Sequence, residues 1–475
     1  MIKISLQKLV QVLDAKLIGA QLTNKKIEIT QVVIDNHQAT TGCLFVALKG
    51  KRFDGHNFAM SAVTAGAIVL LVSRPLDNHL LLFKIPQLIV ADTRIALGQL
   101  AAWVRQKLPT RVIAITGSSG KTSVKEMVVA ILCQHQINIK KDNAILHTIG
   151  NENNDIGVPL TLLRLMPEHE FAVIELGANH LGEIAYATAL SQPESVLVNN
   201  LAIAHLEGFG SLSAIAQAKG EIFTKLPPKG TAIINADSHD WLHWQRYLSY
   251  QQRVWRFALN TKEDVDFFTT DIHTQSQITH FILHSPQGVT EITLSLLGQH
   301  NITNALAAAA LAMSVGADLL AIRQGLAQFQ AITGRLFPIY LAAGKLLLDD
   351  SYNANVSSMI IAARVLADMP GYRVMVVGDM KELGKKTADY HYQVGKIIQK
   401  LGVDKVLSIG EFSQKLSLAS GNGEHFQNQH ELIMHLVMLL LEHPIITILI
   451  KGSRSTAMEK IVHTLQEKYC VSLAS

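Results

Sequence analysis

Short apolar runs rich in β-branched residues alternate with longer stretches at helical spacing along most of this chain. Residues 43–48, 67–72, 112–116, 171–176, 195–201 and 231–235 are such runs. Continuous apolar stretches of this length suit strands covered on both faces, as in parallel sheets. Helical spacing follows or separates them at 97–108 and 212–223, and an alanine-rich helix is predicted over 305–315, ended by Gly316. The amino terminus, MIKISLQKLVQVLDA, reads as an amphipathic helix. From residue 346 the alternation becomes regular: strand 346–350, helix 356–367, strand 373–379, helix 390–401, strand 405–409 and a later strand 445–451. Residues 250–297 break the rhythm. There 253–257, 279–284 and 291–297 alternate with period two between turns, which predicts an antiparallel hairpin region without chemistry of its own.

The pattern predicts an α/β fold in three domains. The expectation is a small α/β N-terminal domain over 1–90, a central P-loop-type domain with a mostly parallel sheet flanked by helices over 91–331, and a C-terminal Rossmann-like domain over 332–475 that lacks a G-x-G-x-x-G loop. A length of 475 residues agrees with three units of about 100–200 residues each. A hydrophobic content of 48% and a charged content of 17% leave ample core. The net charge of +4 is too small and too scattered to argue for nucleic acid. No apolar run is long enough to span a membrane. Cys43, Cys133 and Cys470 lie far apart without metal spacing, so reduced, buried thiols in a cytoplasmic protein are expected.

The chemistry concentrates where the strand 112–116 ends. Thr116-Gly117-Ser118-Ser119-Gly120-Lys121-Thr122-Ser123 leads straight into a helical pattern. Glycines let backbone N–H groups approach an anion, and the helix N-terminus adds its positive dipole end. Lys121 can reach terminal phosphates, and the Thr122 hydroxyl can ligate Mg²⁺. Glu175 stands at the carboxyl end of the strand 171–176, where ligands of open α/β sheets collect, and can face that Mg²⁺. His205 lies just past the end of the run 195–201, and Lys219 sits on the helix after it. In isolation a lone histidine is usually structural and a lone helical lysine usually solvated; their place beside a nucleotide site is what singles them out. The polar run GNENNDIGVP over 150–159 is a functional loop or a solvated turn. Asn301 and Asn304 open the alanine-rich helix, where they could cap it or bond a base edge. Asp350 and Asn353 follow one C-terminal strand, and Lys451, Ser453 and Arg454 follow another.

These residues resemble the Mur ligase family of peptidoglycan synthesis along essentially the whole chain. TGSSGKTSVKEM marks the superfamily, while VIELGANHLGEI, DDSYNANVSSM and KGSRSTAME are far more specific, with GQHNITNALAAA, GRLFP and VVGDMKELG in support. The resemblance implies an ATP-dependent amide ligase that phosphorylates the terminal carboxylate of UDP-N-acetylmuramoyl-tripeptide. The amine of D-alanyl-D-alanine then attacks the acyl phosphate. It further implies that the first domain holds the UDP part and the last closes over the nucleotide, with a monomer expected. Carried over by position, Lys121 stabilises the transferring phosphoryl group, and Thr122 and Glu175 hold one Mg²⁺. His205 ligates a second, and Lys219 is a carbamylated lysine. Asn301 and Asn304 face adenine, Arg335 a phosphate and Asp350 the ribose; Asn151, Asn154, Asn353 and the 451–454 loop face the peptide substrates. One departure stands out. The family's Asp-Ser/Thr-Arg triplet reads Asp35-Asn36-His37 here, so Asp35 is the substrate-facing candidate and the arginine contact is missing. The rivals are another ligase of the superfamily, such as a folylpolyglutamate synthase, or a P-loop switch. The first is separated by its acceptor, the second by turnover without one.

Overall fold

The computed structural model describes residues 1–19, 27–50, 52–76, 85–140, 144–203, 206–238, 241–261, 264–275 and 278–472. Three mixed or parallel sheets follow one another along the chain. The first contains, in spatial order, Lys16–Ile18, Gln87–Ile89, Ala67–Val72, Cys43–Val46 and Gln31–Val33. Only the Lys16–Ile18 pairing is antiparallel. Beyond it Asp92 accepts hydrogen bonds from the Arg94 and Ile95 backbones and so starts the helix Thr93–Gln106. That helix packs on the second sheet's helices, joining the two cores.

The second sheet is parallel throughout, in the order Arg253–Phe257, Thr231–Asn235, Ser195–Val198, Arg111–Thr116, His169–Glu175 and Ala144–His147. Arg111–Thr116 lies at its middle with every side chain from Val112 onward buried, as its unbroken apolar run requires. On one face sit the helices Lys121–Asn138 and Gln299–Ser314. The latter is buried almost all round, and alanine is what lets it lie close to both the sheet and its neighbouring helix. The expected hairpin region is corrected here. Arg253–Phe257 is the parallel edge strand of this sheet, and its alternation reflects the partial cover an edge strand receives. The antiparallel unit is instead Phe268–Gln275, Ile278–Ser285 and Gly288–Leu294; its first strand, FTTDIHTQ, is too polar and exposed to show as a strand in sequence.

The third sheet runs Phe337–Ala342, Lys345–Asp350, Ile446–Lys451, Tyr372–Val377, Lys405–Ile409 and Gly423–Phe426, parallel except for the first pairing. Its middle strands bury both faces under flanking helices. Cys43 is buried, but Cys133 is exposed on its helix, against the expectation of buried thiols; the Cys470 side chain lies outside the described residues. Among the described residues no helix is long and apolar enough to cross a membrane.

Candidate active site

Between the central strand and the helix Lys121–Asn138 the backbone turns through Gly117 (φ +155°) and Gly120 (φ +75°). A Cβ on Gly120 would lie 2.6 Å from both Asn199 Nδ2 and Asn304 Oδ1, so only glycine lets the turn close. The loop is braced by the end of the neighbouring strand Ser195–Val198. Ser118 N donates to Asn200 O at 3.1 Å, Ser119 N donates to Asn200 Oδ1 at 2.9 Å, and Asn199 Nδ2 donates to Ser119 O at 3.1 Å. Lys121 Nζ folds back onto Gly117 O at 2.9 Å. Burial lowers its pKa from the ordinary lysine value; Glu175 opposes that shift and Arg335 adds to it.

Beside the loop, Thr122 Oγ1 donates to Glu175 Oε2 at 2.9 Å. Asn153 Nδ2 donates to the other carboxylate oxygen at 2.7 Å, and Glu175 N donates to Thr148 Oγ1 at 2.9 Å. Arg335 crosses from the start of the last domain to donate to Thr122 Oγ1 at 2.8 Å. Its guanidinium also lies over the Tyr352 ring, 4.5 Å from the centroid. Two serial anchors aim this arginine: Gly334 N donates to Asp349 Oδ2 at 3.1 Å and Leu336 N to Asp350 Oδ1 at 3.3 Å. Lys219 is only 2% exposed, and it lines the same cavity. Desolvation, and then the nearby Lys121 charge, lower its pKa to about 7.

All of this opens on one cavity of about 870 Å³. It gathers residues 118–123, Asn151, Asn154, Glu175, Lys219, Asn301, Asn304, Arg335, Asp350, Asn353, Lys451, Ser453 and Arg454 from all parts of the chain after residue 117. Thr116 and Gly117 lie behind the loop: Thr116 is buried, with its hydroxyl donating to Leu176 O at 2.9 Å. Asp35 does not line the cavity; its carboxylate starts a short 3₁₀ turn by accepting from His37 N at 2.9 Å, which holds its pKa below the ordinary value. His205 lies outside the described residues.

Three expectations change in detail. Asn301 and Asn304 do not cap the alanine-rich helix, which starts after Gly298 without a side-chain cap. They lie on its first two turns, where Asn301 Nδ2 donates to Leu297 O at 2.8 Å and Asn304 Oδ1 accepts from Asn199 at 3.0 Å. Asp350 forms a buried ion pair with Lys451 at 2.6 Å, so its carboxylate faces a lysine of the same domain. Burial pushes the Asp350 carboxyl up, and Lys451 opposes that shift. Asn154 Oδ1 accepts from Gly157 N at 2.8 Å and so starts the helix Gly157–Leu163, while its neighbour Asn153 is the residue that orients Glu175.

Sequence reasoning missed Asn153, Asn199, Asn200, Tyr352 and Lys381. The Asn199-Asn200 pair stands right after a buried strand, a position where polar side chains meet ligand loops, and that was a usable signal.

A phosphate loop ending a central parallel strand, a carboxylate against its threonine, and an arginine delivered by a third domain define a nucleotide-using enzyme of the three-domain α/β ligase class. The chain matches the Mur ligase middle domain over residues 115–312, the Mur ligase glutamate ligase domain over 334–454 and the Mur ligase family catalytic domain over 28–105. It belongs to the Mur ligase family. It is 57% identical to the UDP-N-acetylmuramoyl-tripeptide–D-alanyl-D-alanine ligase of Escherichia coli, over 98% of this chain and 99% of that one. Among solved structures it is similar to MurF from Acinetobacter baumannii, with a TM-score of 0.89 and 38% identity over 98% of this chain and 99% of that one. It is also similar to MurF ligase from Thermotoga maritima in complex with ADP, with a TM-score of 0.79 and 25% identity over 92% of this chain and 97% of that one.

Proposed function

We propose that the chain is the ATP-dependent ligase that joins D-alanyl-D-alanine to UDP-N-acetylmuramoyl-tripeptide in peptidoglycan precursor synthesis. The observation that carries this is end-to-end likeness, at 57% identity, to the Escherichia coli enzyme of that name. The phosphate loop, Arg335 and the cavity between the domains agree with it. In this reading the first domain, over residues 1–90, takes the UDP part, residues 91–331 take ATP, and residues 332–475 face the nucleotide and the acceptor. The enzyme acts as a cytoplasmic monomer.

A carboxylate is a poor electrophile toward an amine, and phosphorylation gives it a leaving group. The tripeptide carboxylate attacks the γ-phosphorus, ADP leaves, and an acyl phosphate forms. The acceptor amine adds to the acyl carbon, and the tetrahedral species expels inorganic phosphate and loses a proton, leaving the amide. Two anions must first be brought together, so fixed cations should dominate the site. Lys121 and Arg335 do this: one folds over the loop and the other reaches Thr122 from the third domain. Asn301 and Asn304 stand at the adenine side.

The donor set suits Mg²⁺. Thr122 Oγ1 and Glu175 Oε2 are hard oxygens 2.9 Å apart, and Asn153 fixes the carboxylate from behind. Thr122 and Glu175 would hold one ion, with His205 and a carbamylated Lys219 at a second. Bound Mg²⁺ would neutralise phosphate oxygens. Lys219 meets the requirement for carbamylation: with a pKa of about 7 its amine is largely neutral at slightly alkaline pH. The lone pair of the neutral amine adds to carbon dioxide and a proton leaves, turning a buried amine into a carbamate whose oxygens can bind metal.

Phosphate release from ATP and Mg²⁺ with UDP-N-acetylmuramoyl-tripeptide, with and without D-alanyl-D-alanine, tests the reading. Release that needs both substrates, with the UDP-pentapeptide detected by mass, supports it. Release indifferent to both would overturn it.

A further inference from the structure

One turn into the helix Lys121–Asn138 a second lysine is buried, and the phosphate chemistry makes no use of it. The Lys125 side chain is 1% exposed. Its ammonium pairs with Glu126 Oε1 at 2.8 Å and donates to the Thr148 carbonyl at 2.5 Å. A charge in such a place costs desolvation that a methionine of similar length would avoid. What the charge supplies is a strong donor to one carbonyl oxygen.

Thr148 is where the strand Ala144–His147 gives way to the loop that reaches Glu175. Its N–H still follows the sheet, donating to Val173 O at 3.1 Å. In a parallel ladder its carbonyl would then accept from the N–H two residues further along the neighbouring strand, at Glu175. Glu175 N donates instead to the Thr148 hydroxyl, at 2.9 Å. The hydroxyl stands in for the carbonyl, and the carbonyl is turned out of the ladder to Lys125. The chain leaves the sheet at that point. It turns tightly, with Glu152 N donating to Ile149 O at 3.1 Å, and returns so that Gly177 N donates to Asn153 O at 2.7 Å. This course brings Asn153 Nδ2 to Glu175 Oε1 at 2.7 Å. The fit is close, since a Cβ on Gly177 would lie 2.7 Å from Asn153 Oδ1. Thr122 and Lys125 are three residues apart and so share a face of their helix. One helix therefore carries the hydroxyl that meets Glu175 and the ammonium that sends the next loop toward the same carboxylate.

We propose that Lys125 is a positioning residue for the metal site. By drawing the Thr148 carbonyl out of the sheet it sets the course of residues 149–153, and with it the reach of Asn153 to Glu175. This rests on the reading of Thr122 and Glu175 as the pair that holds a metal ion.

The test measures Mn²⁺ binding by electron paramagnetic resonance, in the full-length protein with a non-hydrolysable ATP analogue, and the Mg²⁺ dependence of turnover beside it. Lys125→Met should weaken Mn²⁺ binding by about 10-fold, as expected for the loss of support behind a metal-holding carboxylate. Metal-free binding of the analogue should stay within about twofold of the parent, because the phosphate loop is untouched. Lys125→Gln keeps an N–H donor one atom short and should lose about threefold, which carries the comparison if the methionine variant does not fold. Added to Asn153→Ala, Lys125→Met should cost no more than about a further twofold, since the loop then has no side chain to deliver. Glu126→Gln removes the partner carboxylate but leaves the bond to Thr148, and should bind Mn²⁺ like the parent. Folded Lys125 variants with parental Mn²⁺ affinity would overturn the proposal. So would a Glu126→Gln protein weakened as much as Lys125→Met, or full additivity with Asn153→Ala. A parent that binds no Mn²⁺ would overturn the metal reading and this proposal together, whereas unchanged variants of a parent that binds it would overturn this proposal alone.

Discussion

Lys219→Met should give a protein that is inactive yet more stable than its parent at neutral pH. Lys219 is 2% exposed, and burial beside Lys121 brings its pKa from 10.5 to about 7. In the unfolded chain the same amine titrates near its ordinary value. Between those two values the unfolded chain binds a proton that the native state does not, so stability rises with pH across that window. Below about pH 7 both states are protonated, and the native state bears the full cost of a buried ammonium. One pKa unit is worth about 1.4 kcal/mol, so the parent is destabilised by about 4 kcal/mol at pH 7 and about 2 kcal/mol at pH 9. Methionine keeps the length of the side chain without its charge. Denaturant unfolding of both proteins at pH 7 and pH 9, in buffers stripped of carbon dioxide, reads the difference directly, with turnover followed in parallel. The variant should be the more stable at both pH values, by a margin that shrinks by about 2 kcal/mol at the higher one. A variant less stable than the parent at pH 7, or a margin independent of pH, would refute the reasoning.

Other outcomes follow from the same contacts. Lys121→Ala should lower phosphate release by about a thousandfold in a variant that stays folded, because its ammonium bonds the Gly117 carbonyl and no other described residue. Lys219→Ala should lose turnover and regain part of it with an added short carboxylate; no rescue in a folded variant would count against carbamylation. Asn153→Ala frees one oxygen of Glu175 and should raise the Mg²⁺ concentration needed for half-maximal turnover by about 10-fold, seen in a metal titration. Asp350→Asn leaves Lys451 charged and buried, and should cost about 3 kcal/mol in denaturant unfolding, partly recovered by adding Lys451→Met.

The sequence made the phosphate loop and the strand–helix alternation readable because both are local. A buried parallel strand writes itself as a continuous apolar run, and Gly120 is required by a turn only a few residues long. Helix 356–367 is observed over Val356–Ala367, since the apolar spacing and the Asn355 capping box act within one turn. What could not be read depends on partners distant in sequence. Asn153 and Asn154 are neighbours of one type, and only the fold decides that the first meets Glu175 while the second starts a helix. The pairing of Asp350 with Lys451 needs two strands that the chain brings together across a hundred residues, by a parallel register no local pattern encodes. Arg253–Phe257 misled because alternation reports cover on one face, which an edge strand and a hairpin share.

Arg335 acts as a latch with a rigid arm. The two residues on either side of it have left-handed backbones, Gly334 at φ +78° and Leu336 at φ +50°, and both donate to the aspartates that end the strand Lys345–Asp350. The arginine is therefore carried by the third domain as one piece. It cannot stay on Thr122 while that domain swings away, nor can the domain close without bringing a positive charge to the phosphate loop. The position of the third domain and the charge at the phosphate loop are therefore coupled, so a fluorescence pair that reports the angle of that domain should respond to removal of the Arg335 side chain.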